Sequence, residues 1–312
     1  MSSEECLVVS VPATAANLGP GFDCLGMALN LRNECFISRR ERGLAVTIEG
    51  EGRDTLPRDE RNMVVRVMRF AASELGAVLP GLRLHLVNRI PVTRGLGSSA
   101  AAVIMGIVAA GAVLGLRLPA EDILRLAVRV ERHIDNCAAA LLGGLVLAAV
   151  EGDRVYYVRL TPPEEMTAVV AVPDFPLSTE QSRRVLPRQV SLEDAVFNLG
   201  RLGLLVGAFS TGRLELLRSA MQDRLHQEYR KKLVPGMDDV FALIMEAGAL
   251  GVCLSGSGPT LLALVKPEHA GNVAEAFTTA YRRLNLKAGI DVLQPDVNGA
   301  TVRVVPGSVE KK

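Results

Sequence analysis

The run Pro91-Val92-Thr93-Arg94-Gly95-Leu96-Gly97-Ser98-Ser99-Ala100-Ala101 constrains this chain more than any other. It follows an alternating stretch at residues 82–87, which predicts a strand, and opens an Ala-rich stretch at 98–116, which predicts a helix. Strand, glycine loop and helix in that order make an anion site. Gly95 and Gly97 permit a tight turn and close backbone approach, and the free N–H groups of the new helix face whatever binds there. Ser98 and Ser99 can cap the helix or donate hydroxyls to a phosphate. No Lys precedes the serines, so this is not the common nucleotide loop GxxxxGK[ST]. A capped helix after an ordinary turn is the plain alternative. Two further glycine-rich runs weigh against it.

The first spans residues 12–26 and contains Asn17, Gly19, Gly21 and Asp23; the second is Gly251-Val252-Cys253-Leu254-Ser255-Gly256-Ser257-Gly258-Pro259-Thr260. Three such runs in this order resemble the signature motifs of the GHMP small-molecule kinases. Within that superfamily the wording resembles the homoserine kinases, through the first run and three patches: His133-Ile134-Asp135-Asn136, residues 178–187, and Tyr229-Arg230 ahead of Leu233-Val234-Pro235-Gly236. The resemblance covers about residues 8–265.

It implies an α+β, two-domain GHMP kinase fold, with an N-terminal ATP-binding domain like domain 2 of ribosomal protein S5 and a ferredoxin-like C-terminal domain. Thr161-Pro162-Pro163-Glu164-Glu165 divides them, as residues 1–160 and 161–312. It implies ATP-dependent phosphorylation of L-homoserine to O-phospho-L-homoserine in threonine biosynthesis, with Mg²⁺ as cofactor and a homodimer as the family's habit. ATP would lie on Pro91 to Ala101, with Asn62 at the adenine and Ser98 or Ser99 at the phosphates or their metal. Glu131 would be the catalytic magnesium carboxylate beside Ser98. Asp135, four residues on, is its rival. Asp23, as catalytic residue, would hold the acceptor's hydroxyl or ammonium; Asn17, His133 and Asn136 add polar contacts. Arg183 and Arg230 would fork its carboxylate. Another kinase of a small alcohol, or a non-catalytic sensor on the same fold, are the rival readings.

Charge and composition agree. Lys and Arg total 35 against 34 acids, and aromatics are 4% of 312 residues, so neither a nucleic-acid surface nor a stacking platform is expected. Five scattered cysteines without a CxxC pair predict reduced thiols and a cytoplasmic setting. The polar, acidic start lacks a signal-peptide pattern. Residues 100–116 carry no charge, yet their Ala and Gly content predicts a buried helix rather than a membrane span.

Local patterns predict a strand at 7–11 ended by Pro12, and a loop over 13–26. Two strands follow at 27–37 and 44–48, joined by a hairpin tip at 39–43. Asp59 is the expected cap of a helix over 60–75, and Pro119 starts another, with residues 118–122 as its first turn, that ends near residue 132. The later half predicts a strand at 167–172, a helix started by Ser191, Glu193 and Asp194 with its body at 196–209, helices at 238–247 and 270–284, and strands at 250–254 and 260–265.

Overall fold

A computed structural model describes residues 5–131 and 133–306. Strand β1 (Glu5–Asn17) does not stop at Pro12. From Leu7 to Asn17 it pairs antiparallel with β2 (Gly21–Arg40), and the register slips after Pro12: Pro12 faces Arg32, then Ala13 faces Leu29. A proline has no N–H to give a ladder, and a bulge is where a sheet tolerates that loss. The expected loop over 13–26 is therefore strand, with only Leu18, Gly19 and Pro20 left between the two strands. Ala13, Ala15, Ala16, Leu25 and Met27 are all at most 1% exposed, so this apolar segment sits in the core despite its turn-forming neighbours.

Strand β3 (Leu44–Gly50), helix α1 (Met63–Glu74) and strand β4 (Gly81–Asn88) come next. β4 inserts between β2 and β3, antiparallel to the first and parallel to the second. The charged turn at 41–43 thus joins strands that are not neighbours, and no hairpin forms there. α1 is capped by Asn62 rather than Asp59, because the Asn62 Oδ1 accepts from Val64 N at 3.0 Å. Asp59 accepts instead from the backbone and guanidinium of Arg61.

Helix α2 (Ser98–Leu114) is apolar and buried nearly all round, as an Ala-rich segment after the glycine loop should be. Among the described residues no helix is long and apolar enough to cross a membrane. Helices α3 (Ala120–Val130) and α4 (Ile134–Leu142) lead to the hairpin β5 (Leu145–Glu151) and β6 (Arg154–Leu160), with β5 pairing the start of β2. The local patterns above give no helix at α4, whose Cys137, Ala138, Ala139 and Ala140 are fully buried.

The chain then enters a second sheet. Strand β7 (Thr167–Pro173) precedes α5 (Thr179–Arg184), α6 (Leu192–Thr211), α7 (Leu217–Ala220), α8 (Gln227–Arg230) and α9 (Met237–Glu246). Strands β8 (Gly251–Leu254) and β9 (Leu261–Val265), helix α10 (Ala270–Arg283) and β10 (Ala288–Leu293) complete the unit, in the antiparallel order β10-β7-β9-β8. Alternate residues of this sheet serve two cores. Val169 and Ala171 pack with Val240, Ile244, Val273 and Phe277 of α9 and α10, while Ala168 and Val170 join the larger core around α2. The last strand, β11 (Thr301–Pro306), leaves this unit and pairs with β1. The tail beyond residue 265, where the family resemblance ends, thus contributes a strand to each sheet.

Candidate active site

The two units enclose a cleft of about 480 Å³ that draws on all three glycine-rich runs. From the central run, Val92, Thr93, Arg94, Gly95, Gly97, Ser98, Ser99 and Ala100 line it. Pro91, Leu96 and Ala101 do not. Leu96 and Ala101 are at most 1% exposed and pack in the core, while the Leu96 carbonyl accepts from Thr14 N at 3.1 Å and anchors the loop to β1.

Gly97, not a serine, is the N-cap of α2, with φ +71° and its carbonyl accepting from Ala101 N at 2.8 Å. Neither Ser98 nor Ser99 is spent on capping, and both stand in the first turn beside backbone N–H groups that have no intrahelical partner. Close approach explains the glycines. A Cβ on Gly97 would sit 1.9 Å from Thr14 Oγ1, and one on Gly95 2.5 Å from the Ser255 carbonyl. The third glycine run braces this loop from behind: Ser255 Oγ donates to Gly95 O at 2.7 Å, and Thr260 N to Arg94 O at 3.2 Å.

Glu131 lies beside the loop, its Oε2 accepting from Ser99 Oγ at 3.0 Å and its Oε1 3.3 Å from His133 Nδ1. Ser98 lines the same cleft without a hydrogen bond to Glu131. A second helix start faces the cleft, since Asp135 and Asn136 open α4. Asn136 accepts from Thr14 Oγ1 at 2.7 Å and donates its backbone N–H to Asp135 Oδ1, also at 2.7 Å. Asp135 is 2% exposed, and burial pushes its carboxyl up to about 7, with the charge of Asp23 adding to the effect. Burial lowers the His133 pKa, and the Arg183 charge lowers it further.

Asn62 also lines the cleft, but its amide is engaged locally, Nδ2 donating to Pro57 O at 2.9 Å while Oδ1 caps α1. Among the described residues no three of His, Cys, Asp or Glu come together to hold a metal unaided.

From the first glycine-rich run, Asp23 lines the cleft with a left-handed backbone (φ +57°), and its N–H donates to Asn17 Oδ1 at 3.0 Å. Asn17 Nδ2 donates to Gly256 O at 2.9 Å. Arg183 Nη2 donates to Asp23 Oδ1 at 2.5 Å, while Arg183 Nε is buried without a partner among the described residues. Arg230 is 1% exposed and is the largest fully buried side chain of the described residues. Its Nε donates to Ser182 O at 3.3 Å and its Nη1 to Gly256 O at 3.1 Å. No carboxylate lies within ion-pair distance of it among the described residues. Burial, then the nearby Arg183 charge, pull its pKa down to about 10.

The Phe22 ring underlies this group, with Arg183 and Arg230 Cζ at 5.4 and 5.2 Å from its centroid and the His226 ring stacked at 5.1 Å. Sequence reasoning missed Thr14, Phe22, His226 and the bracing role of Ser255. Phe22 stands inside the first glycine run, and His226 stands one helical turn before Arg230, a spacing that could have flagged it.

Comparisons with known proteins identify the family. Residues 62–144 match the model of the GHMP kinases N terminal domain, and residues 205–283 that of the GHMP kinases C terminal domain. The homoserine kinase of Caldicellulosiruptor bescii is 44% identical, over 97% of this chain and 99% of that protein. That of Moorella thermoacetica is 47% identical, over 95% and 99%. The crystal structure of homoserine kinase from Cytophaga hutchinsonii superposes with a TM-score of 0.88 at 32% identity, covering 97% of this chain and 99% of that one.

Proposed function

The chain belongs to the GHMP kinases and, within them, to the homoserine kinases, and from that membership we propose that its cleft holds homoserine between Asp23 and two arginines, with ATP on the glycine loop. The reaction transfers a phosphoryl group from ATP to the side-chain hydroxyl of L-homoserine, forming O-phospho-L-homoserine, a step of amino-acid biosynthesis. The fold is the two-domain GHMP kinase fold.

The observation that carries the substrate placement is Arg230, a buried cation with neutral protein partners that lines the cleft. A carboxylate is the group such a guanidinium lacks, and its planar fork matches one. Arg183, which lines the same cleft and whose Nε has no partner among the described residues, supports a second contact to the same group. Asp23 then receives the ammonium or hydroxyl, with Asn17, His133 and Asn136 around it. Phosphates rest on the α2 N-terminus, on Ser98 and on Ser99, where backbone N–H groups and the helix dipole favour negative charge. Asn62, its amide already engaged, contributes a wall at the adenine rather than a free hydrogen bond.

The oxygens of Glu131, Ser98 and Ser99 are hard donors that suit magnesium. That ion commonly takes one or two carboxylates from the protein and the rest from phosphates and water, in keeping with the absence of a larger acidic cluster among the described residues. When bound, magnesium neutralises charge on the transferring phosphates. Asp135 suits it less, being buried with its Oδ1 occupied by Asn136. No strong base is needed, since phosphoryl transfer depends chiefly on positioning and charge stabilisation.

We divide the chain into units near residues 160–161, with β11 returning to the first. We further propose a homodimer through the exposed α6 face, where Leu192, Val196, Leu199 and Leu204 are 41–81% exposed, and a cytoplasmic location, which the five free thiols suit.

The test is a coupled ADP-release assay on homoserine with wild type and Arg230→Ala. Losing one member of a buried charge pair costs about 2–5 kcal/mol, so kcat/KM for homoserine should fall by about thirty- to several-thousand-fold while the KM for ATP is spared. Normal homoserine kinetics in a folded Arg230→Ala enzyme would remove Arg230 from the site.

A further inference from the structure

Arg230 needs orienting groups, and most buried arginines obtain them from carboxylates. Here the third partner is His226. Its ring is fully buried, and its Nδ1 lies 3.1 Å from Arg230 Nη1. Its Nε2 lies 2.8 Å from Gly19 O. A carbonyl can only accept, so Nε2 carries the proton, and Nδ1 is left to accept from the guanidinium. The nearest acid does not compete for the ring. Asp223 Oδ2 is 3.6 Å from Nε2 and is already taken by the backbone N–H groups of His226 and Gln227, at 2.9 and 2.7 Å. Phe22, stacked on the same ring, fixes its plane and touches both arginines.

Arg230 is therefore held by three neutral acceptors: Ser182 O, Gly256 O and His226 Nδ1. Asp23, Asp223 and Asp135 act on it only from beyond ion-pair distance. We infer that His226 is a positioning residue that orients Arg230 through a neutral lone pair and so leaves its charge free for the carboxylate of the acceptor. A carboxylate at position 226 would orient the guanidinium equally well but would neutralise it, and the site would lose its preference for an acid. The Gly19 contact also ties this device to the β1–β2 turn, which precedes Asp23 by only a few residues. The inference rests on the assignment of Arg230 to the substrate carboxylate.

The experiment compares kcat/KM for L-homoserine and for L-homoserine amide, whose carboxamide is neutral, in full-length wild type, His226→Asn and His226→Asp. Wild type should prefer the acid by about thirtyfold or more, as loss of a buried charge partner implies. His226→Asn places an amide oxygen near the position of Nδ1 and should keep that preference. His226→Asp differs from it chiefly in charge and should reduce the preference by about tenfold or more, with the KM for ATP unchanged. A purely structural role would alter both acceptors alike and leave their ratio as in wild type. An Asp variant with the wild-type ratio, or an Asn variant that loses as much as Asp, overturns the inference. Should the added carboxylate prevent folding, His226→Leu, which has no acceptor, takes its place, and a ratio equal to that of His226→Asn then overturns it. A wild type indifferent to the carboxylate would overturn the Arg230 assignment itself, and the inference with it.

Discussion

Replacing Asp135 with Asn should change how stability depends on pH, and the size follows from where the carboxyl sits. Asp135 is 2% exposed at the start of α4, and burial pushes its pKa from 3.8 up to about 7. The charge of Asp23 acts in the same direction; the hydrogen bonds from Asn136 and the charge of Arg183 oppose it. With the folded pKa raised, the folded protein holds this proton longer than the unfolded chain. The stabilisation is therefore fully present below pH 3.8 and is lost as pH rises through about 7. Linkage at about 1.36 kcal/mol per pH unit gives a loss on the order of 2–3 kcal/mol between pH 5 and pH 8. Asn copies the protonated acid in shape and cannot ionise, so the variant escapes that loss. His133 and His226 pull the other way, because burial lowers both pKa values and their contribution is lost as pH falls below about 6.5. Both chains carry them, so they cancel in the difference. Urea unfolding of wild type and Asp135→Asn from pH 5 to 8, at constant ionic strength without nucleotide or metal, reads that difference directly. It should move in favour of the variant by about 2–3 kcal/mol. A flat difference would mean that the carboxylate is ionised throughout, and the reasoning from burial would fail.

Gly97→Val places a β-branched residue at φ +71° with its Cβ 1.9 Å from Thr14 Oγ1, and calorimetric titration with an ATP analogue should show affinity falling by about tenfold or more. Unchanged affinity would take the loop out of the nucleotide site. Glu131→Gln keeps an acceptor for Ser99 Oγ but deletes the charge offered to magnesium, so kcat should fall about tenfold or more and the magnesium midpoint should rise, with homoserine binding little changed. Magnesium titration of this variant beside Asp135→Asn decides between the two acids; if only Asp135→Asn moves the midpoint, the metal belongs four residues later.

The sequence by itself determined what depends on near neighbours. The glycine loop before α2 was legible because left-handed backbone and close approach demand glycine at Gly95 and Gly97 whatever surrounds them. Helices α9 and α10 and the strands β8 and β9 followed from apolar spacing within a few residues. The arginines and Asp23 could be named from motif wording, because each motif is a local run. Tertiary structure decided everything that rests on partners far along the chain. β1 continues through Pro12 because a register slip against β2 absorbs the missing donor, and β4 separates β2 from β3 because parallel pairing with β3 requires the α1 crossover. The tail returns to β1 by pairing residues nearly 300 positions apart, which no local pattern encodes. Arg230 could be read as a cation, but only the fold shows that its partners are neutral. Those partners come from α5, the third glycine run and His226, and the turn after β1 fixes the tautomer that makes the histidine an acceptor. A hydrogen bond depends on distance and orientation in space, and packing sets both.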